Sequence, residues 1–278
     1  MKKMYTYPSL LTVAGTDPTG GAGIQADLKT FAALGCYGMS VVTALVAQNT
    51  CGVREIHSIP PDFVRAQLLA VLEDIRPDAI KIGMVHSVEL VNVIADVLKE
   101  YQDIPVIFDP VMISTSGHRL IEKDTIEAIK TKLFPLAALI TPNMDEASLL
   151  AGMQVKTLQD MQTATVAIMD MKPGALLLKG GHLQSDIITS ILVNQVGFIK
   201  TFESQKIITN NMHGSGCTLS SAIASFMARG YSLEDAVANA QEYVHNAILY
   251  AADAVCGKGN GPLNHSYNPQ KMIKNEMV

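Results

Sequence analysis

The chain has 278 residues, 48% of them apolar and 17% charged, with a formal net charge of −5. That is enough apolar sequence for one large α/β core, and a mild acidic excess without Lys/Arg clusters excludes a general nucleic-acid or membrane-surface binder. Cys36, Cys51, Cys217 and Cys256 are scattered without a C-x-x-C pair, which fits reduced thiols better than a disulfide framework or a zinc site.

Met1-Lys2-Lys3 imitates the start of a signal peptide, but the apolar run Leu10–Ala14 is short and ends at Gly15-Thr16-Asp17, so a cytosolic protein is expected. That run is the first predicted strand, and Gly20-Gly21-Ala22-Gly23 opens a predicted helix through Leu34. Further strands are predicted at Met39–Ala47, Ala79–Gly83, Val106–Asp109, Ala138–Thr141 and Ala175–Lys179. Between them, Pro61–Ile75 begins with proline in its first turn, and Ser87–Tyr101 has a serine cap and an apolar face of Leu90, Val91, Ile94, Val97 and Leu98. Ile187–Val193 and Val196–Phe202, joined by Asn194-Gln195, read as an antiparallel hairpin added to a parallel sheet. An Ala/Ser-rich helix opened by His213-Gly214-Ser215-Gly216-Cys217-Thr218 and running to about Arg229, and an amphipathic one from Leu233 to about Ala254, close the chain. Short apolar runs alternating with helical segments predict parallel strands joined by crossover helices, in one domain over residues 1–278.

Ligands of open parallel sheets bind beyond the carboxyl ends of the strands, which directs attention to the polar residues that follow each run. No G-x-x-x-x-G-K-[ST] and no G-x-G-x-x-G after the first strand occurs, which excludes a P-loop and disfavours a dinucleotide site. His213-Gly214-Ser215-Gly216-Cys217-Thr218 instead reads as an anion cradle: glycines permit a tight turn, and first-turn amides and the helix dipole face one phosphate. The dipole also favours the anion of Cys217, putting a proton acceptor beside the cradle and suggesting phosphoryl transfer. The plainer reading is a capped helix start with an inert thiol.

The other tails carry the same two readings. Asp109 and the pair Asn143 and Glu146 are either helix-start residues or oxygen ligands for a hydrated Mg²⁺ that bridges nucleotide phosphates. Lys179 beside Gly180-Gly181 either ends a strand or neutralises phosphate. Gln48 is a turn residue, or an amide whose donor and acceptor match an aminopyrimidine edge walled by Met84 and Val111. The Gly20–Gly23 turn is structural, or leaves room for a flat ring against the backbone.

Taken together, Ala14–Thr30, Thr43–Thr50, Lys81-Ile82-Gly83-Met84, Asp109-Pro110-Val111-Met112, Thr141-Pro142-Asn143 with Glu146-Ala147, Lys179-Gly180-Gly181-His182, His213–Ala222 and Gly259–His265 resemble the hydroxymethylpyrimidine/phosphomethylpyrimidine kinases of thiamine biosynthesis. The resemblance spans nearly the whole chain. It implies a ribokinase-like three-layer α/β/α sandwich, ATP as phosphoryl donor with Mg²⁺, a small pyrimidine substrate and a homodimer. By the same resemblance, Cys217 is the base and Gly214, Ser215 and Gly216 the anion hole. Gln48, Ala22, Met84, Val111, Gly15 and Asp17 belong to the substrate site, Lys179, Asn143 and His213 to the nucleotide site, and Glu146 and Asp109 to the metal. Cysteine where sugar kinases use aspartate favours the pyrimidine and pyridoxal branch. A pyridoxine/pyridoxal kinase is the alternative within that branch, and a non-catalytic vitamin-binding protein the alternative outside it.

Overall fold

The computed structural model describes residues 3–112, 121–197 and 199–277. After a short β1 (Tyr5–Thr6), the buried run β2 (Ser9–Ala14) leads through the glycine turn into α1 (Gly23–Ala33) and the parallel neighbour β3 (Tyr37–Val42). The chain then leaves the main sheet: β4 (Ala44–Asn49) and β5 (Gly52–Ser58) form a separate antiparallel ribbon. Three crossovers follow. They are α2 (Pro61–Leu72) to β6 (Ala79–Ile82), α3 (Val88–Leu98) to β7 (Val106–Phe108), and α4 (Lys123–Ala128) with π-helical and 3₁₀ turns to β8 (Leu139–Ile140).

Helices α5 (Met144–Ala151) and α6 (Leu158–Met169) lead to β9 (Ala175–Leu178) and the hairpin β10 (Ile187–Asn194) and β11 (Ile199–Gln205). The last elements are α7 (Ser215–Ala228), α8 (Leu233–Leu249) and β12 (Asn275–Glu276), which pairs with β1. The main sheet runs β11-β10-β9-β8-β7-β6-β2-β3, parallel from β9 to β3 and antiparallel at the hairpin.

Side-chain alternation along the strands divides the interior into two cores. Leu11, Val13, Ile80, Ile82, Phe108 and Ile140 pack against α2 to α6, while Leu10, Ala79, Ile107, Leu139 and Leu177 pack against α1, α7 and α8. This is the expected three-layer α/β/α sandwich. The predicted faces of α3 and α8 are buried, and Ser87 caps α3 by accepting from the Leu90 amide.

The helices expected to end at Ile75, Tyr101 and about Ala254 stop earlier, at Leu72, Leu98 and Leu249, and two strand readings also differ from the sequence. The single strand predicted over Met39–Ala47 breaks at buried Thr43, whose hydroxyl donates to the Met84 carbonyl while the Gln67 amide takes up both backbone groups of Val42. Beyond the break, Thr16 donates to the Ala44 carbonyl, drawing β4 away toward the β2–α1 turn. The predicted strand Val196–Phe202 begins later, at Ile199, because Val196 and Gly197 form a turn bonded back to Asn194; Phe198 lies outside the described residues.

Phe108 carries the core through the centre of the sheet, 1% exposed and edge-on to Phe134 with ring centroids 5.8 Å apart. Phe108→Ala is expected to lower stability by about 3–5 kcal/mol, read as a shifted urea midpoint with an unchanged slope.

Candidate active site

Two glycine-rich turns from distant parts of the sequence interlock at the carboxyl edge of the sheet. In the first, the buried Asp17 carboxylate accepts from the Thr19 amide (2.9 Å) and hydroxyl (2.8 Å), and from the Gly21 (3.1 Å) and Ala22 (2.8 Å) amides. In the second, His213 brings Nε2 to 2.8 Å from the same carboxylate. Burial works against the charge of Asp17, but donors from His213, Gln48 and Thr19 hold the carboxyl well below the usual carboxylate range.

Glycine is required on both sides of the contact. Gly214 has φ +85°, and a Cβ there would fall on the Gly21 carbonyl oxygen; a Cβ on Gly21 would come within 2.5 Å of the His213 ring. The result is a rigid start to α7. Gly216 and Cys217 lie in its first turn, where amides have no carbonyl a turn behind them, so the helix end is suited to an anion.

Opposite this helix end, Asp109 Oδ1 accepts from the Thr141 hydroxyl and from Lys179 Nζ, both at 2.9 Å. A Cβ at Gly216 would lie 3.3 Å from both Asp109 Oδ2 and Lys179 Nζ, which measures how closely the turn approaches the ion pair. Burial disfavours the Lys179 ammonium, but Asp109 and Glu146 more than compensate and raise its pKa. Asn143 and Glu146 form a capping box at the start of α5: Asn143 Oδ1 accepts from the Glu146 amide at 2.9 Å, and Glu146 Oε2 accepts from the Asn143 amide at 2.8 Å. Glu146 is 3% exposed, and burial pushes its carboxyl up to about 7, with Lys179 opposing and Asp109 reinforcing the shift.

These groups surround a cavity of about 430 Å³, the size of a small-molecule site. All the residues assigned to the site from the sequence line it except Asp17, which holds the two turns together from behind the wall. Gln48 and the β4–β5 turn form one side, with Thr50 clasped by the Lys258 and Gly259 amides on its hydroxyl and by the Asn260 amide on its carbonyl. Apart from Gln48, this side was given no role from the sequence, and neither were Asp145 and His182, which lie 3.1 Å apart. Only the order of motifs there, Gln48-Asn49-Thr50 and Gly259-Asn260-Gly261, could have suggested that the two segments meet.

Cys217 departs from the sequence expectation. Burial pushes its thiol up to about 11, outweighing the Lys81 ammonium and the Gly23 amide that favour the anion. No helix among the described residues is long and apolar enough to cross a membrane.

A glycine-built helix N-terminus set against a Lys–Asp pair in the lining of one cavity, at the carboxyl edge of a sandwiched parallel sheet, defines a small-molecule phosphotransferase of ribokinase-like architecture. The chain matches the phosphomethylpyrimidine kinase family over residues 17–264 and belongs to it. It is 44% identical over 256 residues to the hydroxymethylpyrimidine/phosphomethylpyrimidine kinase of Escherichia coli, covering 92% of this chain and 96% of that one. It is 46% identical to the thiamine biosynthesis bifunctional protein ThiED of Geobacter sulfurreducens, matching 92% of this chain but spanning only 52% of that relative's length. Among solved structures, the phosphomethylpyrimidine kinase of Clostridium difficile superposes with a TM-score of 0.77 at 43% identity, over 86% of this chain and 99% of that one. The Staphylococcus aureus pyridoxal kinase in complex with AMP-PCP and pyridoxal gives 0.85 at 30% identity, over 98% of this chain and all of the other (100%).

The raised Glu146 carboxyl has a signed consequence. Its folded-state value lies above the ordinary 4.5, so the protonated acid favours the fold below that pH, and the contribution is lost as pH rises toward about 7. Glu146→Gln keeps an acceptor for the cap without this titration. Thermal melts from pH 4.5 to 7 are expected to show wild type losing stability relative to the variant as pH rises.

Proposed function

We propose that this chain is one kinase domain that transfers the γ-phosphoryl group of ATP to 4-amino-5-hydroxymethyl-2-methylpyrimidine and then to its monophosphate. One observation carries this reading: a single cavity places an amide able to pair with an aminopyrimidine, Gln48, in the same wall as Cys217 and an anion-binding helix end backed by Lys179 and Asp109. Gln48 offers its carbonyl to the exocyclic amine and an N–H to the ring nitrogen, with the Asp17 carboxylate close to its amide. Met84, Val111 and Ala22 supply apolar walls for the ring.

In the first step the hydroxymethyl proton passes to Cys217 in its thiolate form, the minor form of a thiol that burial pushes up to about 11, the alcohol oxygen bonds to the γ-phosphorus, and the bond from that phosphorus to the bridging oxygen breaks to release ADP. The first-turn amides of α7 and the Lys179 ammonium stabilise the transferring charge. In the second step the acceptor is already an oxyanion near neutral pH and needs no base. Asp109 and Glu146 fit a hydrated Mg²⁺, which is held by one or two carboxylates together with substrate phosphates rather than by a full protein cage. No cluster of three or more metal-binding side chains exists among the described residues. The ion would supply charge neutralisation on the nucleotide phosphates.

A homodimer and a cytosolic setting complete the reading, supported by exposed Leu45 on the β4–β5 ribbon and by the four cysteines, all free. A pyridoxal kinase is the second reading, favoured by TM-scores of 0.85 and 0.86 to such enzymes. The lower identities of those matches, 34% and 31%, and the amide of Gln48 weigh against it.

The two acceptors separate the role of Cys217. Cys217→Ala is expected to slow formation of the monophosphate by ~10²–10⁴-fold, the usual contribution of positioned proton transfer, and to slow the second phosphorylation much less. Parallel loss in both steps would mean that Cys217 shapes the site instead.

A further inference from the structure

Below the cavity lies an ion pair that the reaction described so far does not use. Strand β6 directs Ile80 and Ile82 into one core and Lys81 toward α1 and α7. Lys81 and Asp27 of α1 both have fully buried side chains, and Lys81 Nζ lies 2.9 Å from each Asp27 oxygen. The Thr12 hydroxyl donates to Asp27 Oδ2 at 2.6 Å and the Ser221 hydroxyl of α7 to Oδ1 at 2.7 Å. A buried ion pair of this kind is a poor source of stability, because desolvation offsets the attraction and an apolar pair of the same volume commonly does as well.

The placement of the pair points to chemistry. Ser221 follows Cys217 by one helical turn on α7, and Asp27 follows Gly23 by one turn on α1, so each pair shares a helix face. Gly23 lies where its amide favours the Cys217 anion, one turn above the point at which Ser221 donates to Asp27. The two helices therefore stack the thiol over the ion pair. A Cβ at Gly83 would come within 3.0 Å of Lys81 Nζ, which sets the ammonium directly under the strand end that precedes Met84. The charged groups around Cys217 are Lys81 from β6, Asp27 from α1, and Asp109 and Lys179 beyond β7 and β9.

We propose that Lys81 is a positioning residue for phosphoryl transfer, its Asp27-anchored ammonium providing the fixed positive charge against which Cys217 holds the proton-accepting thiolate. This rests on the reading of Cys217 as the base. Asp27 keeps Lys81 charged and in place: burial alone would lower the lysine's pKa, and the carboxylate more than reverses that. Lys81 is the strongest of the groups that favour the thiolate against burial.

The test follows the thiol itself. Lys81→Met leaves Asp27 buried without its countercharge and so risks the fold; Lys81→Met combined with Asp27→Asn removes both charges and retains an acceptor for the two hydroxyls. In that paired variant, with folding checked by circular dichroism, alkylation of Cys217 by iodoacetamide is followed against pH by mass spectrometry of its peptide. Losing Lys81 disfavours the thiolate and losing Asp27 favours it, the lysine having the larger effect, so the expected result is an alkylation rate at pH 8 lowered several-fold, with first-step phosphorylation falling at least as far and the second step much less. A folded paired variant whose Cys217 alkylation profile matches wild type would overturn the proposal. A shifted profile alongside full first-step activity in Cys217→Ala would uphold the Lys81–Cys217 coupling and overturn only the base reading.

Discussion

The Asp17 carboxylate ties two glycine turns nearly 200 residues apart in the sequence into one wall. It accepts from Thr19, Gly21 and Ala22 on the first turn and bonds His213 on the second, and it reaches Gln48 on the ribbon. Each further feature of the site hangs on that junction. The α7 start is held where Gly214 can pack on the Gly21 carbonyl, and Gln48 of the ribbon is brought close to the same carboxylate. A carboxylate this fully engaged has little capacity left for a ligand, so under the proposed function Asp17 acts on the substrate site through its neighbours Ala22 and His213.

The departure of β4 from the main sheet serves the same end. Had the chain continued straight from β3, Gln48 would have lain along the sheet edge. The break at Thr43 instead swings the ribbon toward the β2–α1 turn, where Thr16 holds both the Ala44 carbonyl and, through its hydroxyl, the Val46 amide. The segment from Gly257 to Asn260 then clasps Thr50 at the ribbon's tip. Under the proposed function, substrate recognition is carried on a ribbon fastened at both ends, while the phosphoryl-transfer groups stand on the sheet and on α7.

Much of this was legible in the sequence because the strands are short apolar runs and the site residues follow them directly. Periodicity located β2, β6, β7, β8 and β9 to within a residue or two, and every site residue expected from the sequence except Asp17 lines the cavity. Periodicity could not show β5, whose exposed Arg54 and Glu55 give no apolar stripe, nor the bend at Thr43, which is set by side-chain bonds from Gln67 and Thr16. The elevated thiol of Cys217 was equally hidden, since the helix dipole is visible in the sequence and the burial that outweighs it is not. Lys81 reads as an ordinary strand residue until α1 and α7 are folded over it.

The central claim is that one site recognises an aminopyrimidine alcohol and passes phosphate to it and to its monophosphate. The most direct measurement incubates the purified chain with ATP and Mg²⁺ and, in parallel, with hydroxymethylpyrimidine, its monophosphate or pyridoxal, and separates the products by charge. Sequential appearance of the pyrimidine monophosphate and diphosphate, with weaker turnover of pyridoxal, is the expected result. Turnover of pyridoxal with neither pyrimidine phosphorylated would contradict it.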